Sequence, residues 1–419
     1  MNRFTFFAFS LMLTLGTTKA QENEKNTPTV KLSGWVNAET FYDTRQTCAS
    51  REGEILLYPD AVKKDDNGDD INGASRWNML SFMSRARIDA SEIEAFGAQT
   101  TAKIEVDFLG TGSDFVNMIR MRHAFVNMKW DKTQLLFGQY WHPMFVPECF
   151  PTVLIQGAAI TLNPLNRSPQ IRLTYNLTKE MSVMGALLTQ QYHKGYGHSG
   201  NNSTEKAILS ADPARNSGLP EIQFQFKYKS ESLVAGLTGG YHWVTPRLVT
   251  DSSFAETEKL GAYNIAAFAK YSTGKLTAKL EGNYGQNMAR FVMLGGYAVA
   301  SVDATDDSRT YTNLTSGSMW AELSYAPGKY EIGILAGATK NFGANEDIVA
   351  RKPVYARGSN IDMVYNIIPR IAFKSGKMKF GVEAIYMNAA YGTPNNKLQV
   401  EDTEDANNLR LLFSVYRYF

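Results

Sequence analysis

The chain has 419 residues, with 43 Lys and Arg against 41 Asp and Glu, 44% hydrophobic residues, 12% aromatics and two cysteines. A formal charge of +2 leaves no footprint for a polyanion, which argues against nucleic acid as a partner. Two cysteines exclude a disulfide-stapled fold and a four-thiolate metal site.

Residues 1–20 read as a secretory signal peptide. Arg3 supplies a positive start, residues 4–15 are almost continuously apolar, and Ala20 closes a small-residue cleavage site. Residues 21–28 follow as a polar, flexible lead-in. Beyond them, no apolar run is long enough to cross a bilayer as a helix. A closed barrel crosses with a far weaker signal per segment, and that is the pattern in residues 29–419.

Residues 98–108 place Thr100, Ala102, Ile104, Val106 and Phe108 on one face and Thr101, Lys103, Glu105 and Asp107 on the other. Residues 219–230 (LPEIQFQFKYKS) repeat the alternation, which is that of a strand with one apolar and one polar side. Sixteen such segments are read near 30–45, 79–91, 98–109, 118–130, 133–141, 169–176, 181–192, 220–229, 233–244, 260–271, 275–289, 316–326, 329–340, 361–374, 377–390 and 408–419. In 118–130 neither parity is wholly polar, which a bulge that reverses the faces would explain.

Seven connections are short and eight are mostly long and polar, in strict alternation. Sorting loops by length between the two ends is the habit of an outer-membrane barrel, and a soluble sandwich has no reason for it. The expected fold is therefore all-β: a sixteen-stranded antiparallel transmembrane barrel with long extracellular loops, wide enough for a water-filled lumen. Outer-membrane lipids and lipopolysaccharide would surround it. Tyr228, Tyr241, Tyr271, Tyr284 and Tyr325 keep the apolar parity near strand ends, as interfacial girdles do.

Several segments resemble the DcaP-type trimeric porins: RMRHAFV (120–126), LFGQYW (136–141), GLPE (218–221), WAELSY (320–325) and Pro369-Arg370. The resemblance spans roughly residues 30–419. It implies a bacterial outer-membrane homotrimer whose pores pass small hydrophilic, often anionic, solutes. The chain ends VYRYF, similar to the signal read by the barrel-insertion machinery, although Arg417 stands where that pattern has an aromatic. The resemblance also implies that the third long loop, residues 142–168, folds into the lumen, and its apolar runs at 153–155 and 158–160 fit that placement.

Candidate pore-lining residues are Arg85 and Arg87 on strand 2, Glu105 and Asp107 on strand 3, Arg120 and Arg122 on strand 4, Arg172 on strand 6, and Glu148 in the third loop. Two readings of this set stay open. A ladder of guanidinium groups favours anions; alternatively, Arg neutralises inward Glu39, Glu105, Asp107, Glu221, Glu281, Glu322 and Glu383, leaving a pore of mixed charge. Cys48 and Cys149 fall in the first and third loops, where either a disulfide or two separate thiols is compatible with a secreted chain.

No cofactor or metal is expected, because no HExxH, P-loop or G-x-S-x-G spacing occurs. Residues 63–70 (KKDDNGDD) only superficially suggest a calcium loop, since Arg76 stands where its closing Glu belongs. The functional expectation is a passive porin rather than an enzyme. A substrate-specific monomeric channel and a barrel enzyme are the alternatives.

Overall fold

The computed structural model describes residues 28–157, 159–190, 193–199, 205–350 and 352–419. The expected signal peptide and most of the lead-in lie outside them. Most of the described strands form one closed antiparallel barrel, and two short hairpins in the loops stand apart from it. In chain order its strands 1 to 16 are Thr29–Asp43, the pair Arg76–Leu80 and Arg85–Ala95, Ala98–Asp107, Arg120–Lys129, Thr133–Trp141, Arg167–Asn176, Met181–Leu188, Glu221–Lys229, Leu233–Val244, Leu260–Thr273, Leu276–Gln286, Arg309–Tyr325, Tyr330–Ala344, Ile361–Ser375, Met378–Pro394 and Val400–Tyr418. Each falls on a segment expected from the alternation.

Closure comes from strand 1 pairing with strand 16, from Trp35↔Tyr418 to Asp43↔Arg410. Backbone bonds between Gly34 and Phe419 extend this seam to the last residue. Side chains alternate as the period demands. In strand 10, Tyr263 and Ile265 point out and are exposed, while Ala262, Asn264, Ala266 and Phe268 point in and are buried. Tyr241, Tyr271, Tyr284 and Tyr325 are exposed on the outer face.

Strand 4 contains the reversal that its mixed parity suggested. Asp107 pairs with Arg120 and Val106 with Met121, but Glu105 pairs with His123, so Arg122 is an extra residue. The bulge turns Arg120, Arg122 and His123 inward together, and Phe125 and Asn127 face in beyond it.

Half of the bore is not wet. Val234, Phe268, Trp320, Leu335, Val364, Ile368, Ile385, Met387, Leu412 and Tyr416 point inward from strands 9 to 16 and are buried. They are covered by the Ile55–Pro59 strand of loop 1 (residues 44–75), by Phe145, Leu154, Ile160 and Leu162 of loop 3 (residues 142–166), and by Val292 and Leu294 of loop 6 (residues 287–308). Each large side chain buried this way contributes roughly 1.5–3 kcal/mol, which keeps the loops docked against the wall. Three loops thus supply the apolar partner for these inward positions.

Two strands run further than the alternation indicated. Strand 16 starts at Val400, because Glu401, Glu404 and Asp405 pair with strand 15 beyond the barrel rim. Strand 12 likewise starts at Arg309 and pairs with the Gly295–Val302 strand of loop 6.

Candidate functional site: a constricted, charged eyelet

Loop 3 leaves strand 5, crosses the bore and is tied to the far wall by named bonds. His142 Nε2 lies 2.9 Å from Glu221 of strand 8, and Lys227 Nζ is 2.7 Å from Glu148. Further on, the Thr152 N–H donates to Glu322 of strand 12 at 2.8 Å, while Lys279 Nζ donates to the Phe150 carbonyl at 2.9 Å. The Leu154 and Ile155 N–H groups both donate to Glu383 of strand 15, at 2.7 and 3.0 Å. Ser318 Oγ donates to the Leu162 carbonyl at 2.7 Å. Gly381 on strand 15 leaves room for loop 3, since a Cβ there would stand 2.5 Å from the end of the Leu154 side chain, which would have to shift.

These bonds account for the inward acids. Glu322 also takes Lys279 at 3.1 Å and Arg370 at 2.6 Å. Glu221 also pairs with Arg290. Glu39 accepts from Ser414 at 3.1 Å, and Glu281 accepts from Asn283. Acids that would make a mixed-charge pore are thus engaged with the wall and with loop 3.

On the opposite wall, strands 2 to 4 bring five of the expected residues into one cluster. Arg120 grips Asp107 with both ends of its fork, at 2.6 and 2.9 Å. Arg122 bridges Glu105 at 2.7 Å and Asp107 at 2.8 Å. Arg85 reaches Glu105 at 3.4 Å and lies 4.3 Å over the Trp35 ring. Three cations therefore share two carboxylates, leaving one positive charge in excess.

The remaining candidates lie elsewhere. Arg87 pairs with Asp89 at 2.7 Å, further along strand 2. Arg172 donates to Gln170 and to the Trp141 carbonyl, and with Glu148 and Lys227 it lines a separate recess between loop 3 and strands 4 to 8.

Between loop 3 and strands 1 to 6, 15 and 16 is a cavity of about 420 Å³. Four cations line it, Arg85, Arg122, Arg167 and Lys379, against one carboxylate, Glu105. Aromatic rings complete the wall: Trp141 stacks on Phe145 at 3.9 Å, and the Arg167 guanidinium sits 4.7 Å over Trp141. Arg167 and Lys379 were missed in the sequence. Arg167 stood at the end of the long loop rather than inside an alternating segment, and it opens strand 6 on the opposite parity from Arg172.

The disulfide alternative is corrected: Cys48 and Cys149 are both free thiols. Cys149 is fully buried, with its Sγ donating to the Ala269 carbonyl at 3.3 Å, while Cys48 sits in the loop 1 hairpin paired with Tyr58. Loop 3 is pinned by carboxylates instead. Reducing and non-reducing gels should therefore give one mobility, and Cys149 should resist a polar maleimide until the barrel is unfolded. A reductant-sensitive shift of the monomer band would contradict this arrangement.

The acidic run in loop 1 also finds internal partners. The Asp65 carboxylate accepts the backbone N–H groups of Asp69 and Asn67, each at 2.9 Å, and the Asp69 bond foremost holds it below the usual carboxylate range. Asp70 pairs with Arg45 at 2.7 Å. Among the described residues no group of His, Cys, Asp and Glu is arranged to hold a metal.

No family model and no curated protein matches the sequence. Solved structures do. The outer membrane channel DcaP of Acinetobacter baumannii superposes with a TM-score of 0.66 at 14% identity, over 94% of this chain and 98% of that one. The anion-selective porin from Comamonas acidovorans gives 0.55 at 10% identity, over 94% and 100%. OmpT, an outer-membrane protein of Vibrio cholerae, gives 0.54 at 12% identity, over 94% and 98%. At these identities the likeness is one of fold. Taken with the closed barrel and the inward third loop, it shows that this chain shares the barrel fold of these outer-membrane proteins.

Proposed function

We propose that the chain is a bacterial outer-membrane porin that passes small hydrophilic solutes by diffusion, with a preference for anions. The observation that carries this reading is the eyelet, lined by Arg85, Arg122, Arg167 and Lys379 with Glu105 as its one lining carboxylate, while Glu221, Glu322 and Glu383 are engaged by loops 3 and 6 and Lys379 also reaches Glu331 at 2.9 Å. A fixed positive excess in a narrow, partly desolvated passage lowers the barrier for anions and raises it for cations. Arg85, Arg122 and Arg167 are assigned as the selectivity residues. Arg120 and Asp107 act by holding Arg122 in place, and Glu105 acts by sharing its charge between Arg85 and Arg122. Arg87, Arg172 and Glu148 are assigned to the approaches on either side.

The assembly is a homotrimer in this reading, in keeping with the trimer form of the structurally similar OmpT. Residues 1–20 direct export and are removed, and the terminal Phe419 addresses the chain to the insertion machinery. Diffusion needs no catalytic group. The filled half of the bore favours a second reading, a narrower solute-selective channel, because it confines the path to one side.

Reconstitution in a planar bilayer under a salt gradient tests both. The expected result is stepwise current in groups of three, with a reversal potential of the sign for anions. Single steps that a specific solute blocks at low concentration would favour the selective channel. Full insertion without conductance would overturn the open passage altogether.

A further inference from the structure

Away from the eyelet, a second cavity of about 380 Å³ lies between the extracellular ends of strands 7 to 9 and the short helix Asp212–Asn216 of loop 4 (residues 189–220). Its walls are mostly apolar, formed by Leu188, Leu219 and Trp243, and its mouth is bordered by exposed Arg215 and Gly218. At its base is Arg290 of loop 6, only 2% exposed.

Arg290 is half used. Its Nη1 pairs with Glu221, while its Nε and Nη2 donors meet no partner among the described residues. Glu221 is held in place through its Oε1, which is engaged by His142 at 2.9 Å and Gln223 at 2.6 Å. The guanidinium cannot easily swing away either. It rests 4.2 Å over the Phe291 ring, and the Arg290 carbonyl is held by Asn166 at 3.0 Å.

The vacant pair is informative because Nε and Nη2 lie along one edge of the fork, the edge that binds two oxygens of a carboxylate or phosphate at once. Buried donors without acceptors are rare in folded proteins and call for an explanation. Largely apolar walls with a few polar groups, here Gln190, Glu221, His242 and Arg290, describe a site for an amphiphile. We propose that this recess binds the oxyanion of a small molecule or lipid with an apolar body, the head against Arg290 and the body along Leu188, Leu219 and Trp243. The same chemistry is offered by a free organic acid and by the phosphate of an outer-leaflet lipid.

The test uses the purified full-length barrel, titrated with hexanoate, hexyl phosphate and hexanol. Trp243 fluorescence is followed against a Trp243→Phe control. The two anions are expected to saturate at concentrations at least about tenfold lower than hexanol. Arg290→Lys keeps a cation for Glu221 but presents no fork, and should raise the half-saturation point for both anions about tenfold. Ala214→Trp fills the cavity from the loop 4 helix without touching the Arg290–Glu221 pair, and should abolish binding in a barrel that still shows the heat-dependent gel shift of the parent. Equal binding of hexanol and hexanoate, unchanged binding in both variants, or no saturation at all would overturn the proposal. With saturation in hand, competitive displacement of hexanoate by added lipopolysaccharide assigns the natural oxyanion to the lipid. Its failure to compete assigns a free acid.

Discussion

Deleting residues 148–160 from loop 3 should raise single-channel conductance roughly two- to fourfold, because an unobstructed barrel of this strand number leaves an aqueous channel. The deletion removes Phe150, Thr152, Leu154 and Ile155, the inner wall of the eyelet, and with them the N–H donors that engage Glu322 and Glu383. Glu383 then faces water without those partners, and Glu148, which pairs with Lys227, is lost. The anion preference should accordingly weaken as conductance rises, since the path widens past Arg85 and Arg122 and takes in newly uncovered acid. Planar-bilayer recording of conductance and reversal potential on the same preparation checks both. A conductance within the scatter of the parent would mean that the current does not pass beside loop 3. The same deletion strips the cover from Trp320, Leu335 and Ile385, so the folded barrel should also lose its gel-shift resistance to heat at a lower temperature.

The wall was legible in the sequence because a lipid-facing surface imposes a period of two and a short-turn side imposes a beat of loops. Glu105 and Asp107 alternate cleanly with Ile104 and Val106, and both acids do face inward. Strand 4 announced its own irregularity: with Arg120 and Arg122 on one parity and Phe125 and Asn127 on the other, no single face could be polar, and the bulge at Arg122 resolves this. What could not be read is the apolar half of the bore. Around Leu335 and Ile368 both parities are largely apolar, and alternation assigns no inside to such a strand. The partner that makes those positions inward is Leu56 or Leu162, from loops distant in the chain.

Charge was legible as composition and illegible as pairing. Counting seven inward acids against the Arg ladder gave no decision between an anionic preference and a mixed pore. The outcome turns on whether Glu322 and Glu383 meet solvent or the backbone of loop 3, and a run such as 152–155 carries no sign that its N–H groups will be donated to a wall. The cysteines illustrate the same limit. Sharing one end of the barrel did not bring Cys48 and Cys149 into a bond, because loop 3 carries Cys149 across to the carbonyls of Ala269 and Leu280.

Replacing Asp107 by Ala should destabilise the barrel by about 3–5 kcal/mol, the usual cost of leaving a buried ionic group without its partner. Asp107 is fully buried and accepts from Arg120 at two points and from Arg122 at a third, so its loss removes three charge-assisted bonds and leaves Arg122 with its contact to Glu105. Urea unfolding in detergent micelles or lipid bilayers measures the loss. Selectivity should move the other way: the wall gains one net positive charge beside the eyelet, and the reversal potential should shift further toward the anion limit. Stability and selectivity thus separate, which a merely misfolded variant would not show. The paired change Asp107→Leu with Arg120→Met removes a cation together with its carboxylate and substitutes apolar volume, so most of the lost stability should return. Arg122 keeps its 2.7 Å contact to Glu105 in that variant, and the reversal potential should fall back near the parent value. If Asp107→Ala unfolds at the parent's urea concentration, the cluster contributes nothing to holding strands 3 and 4, and the assignment of Arg120 as a positioning residue fails with it.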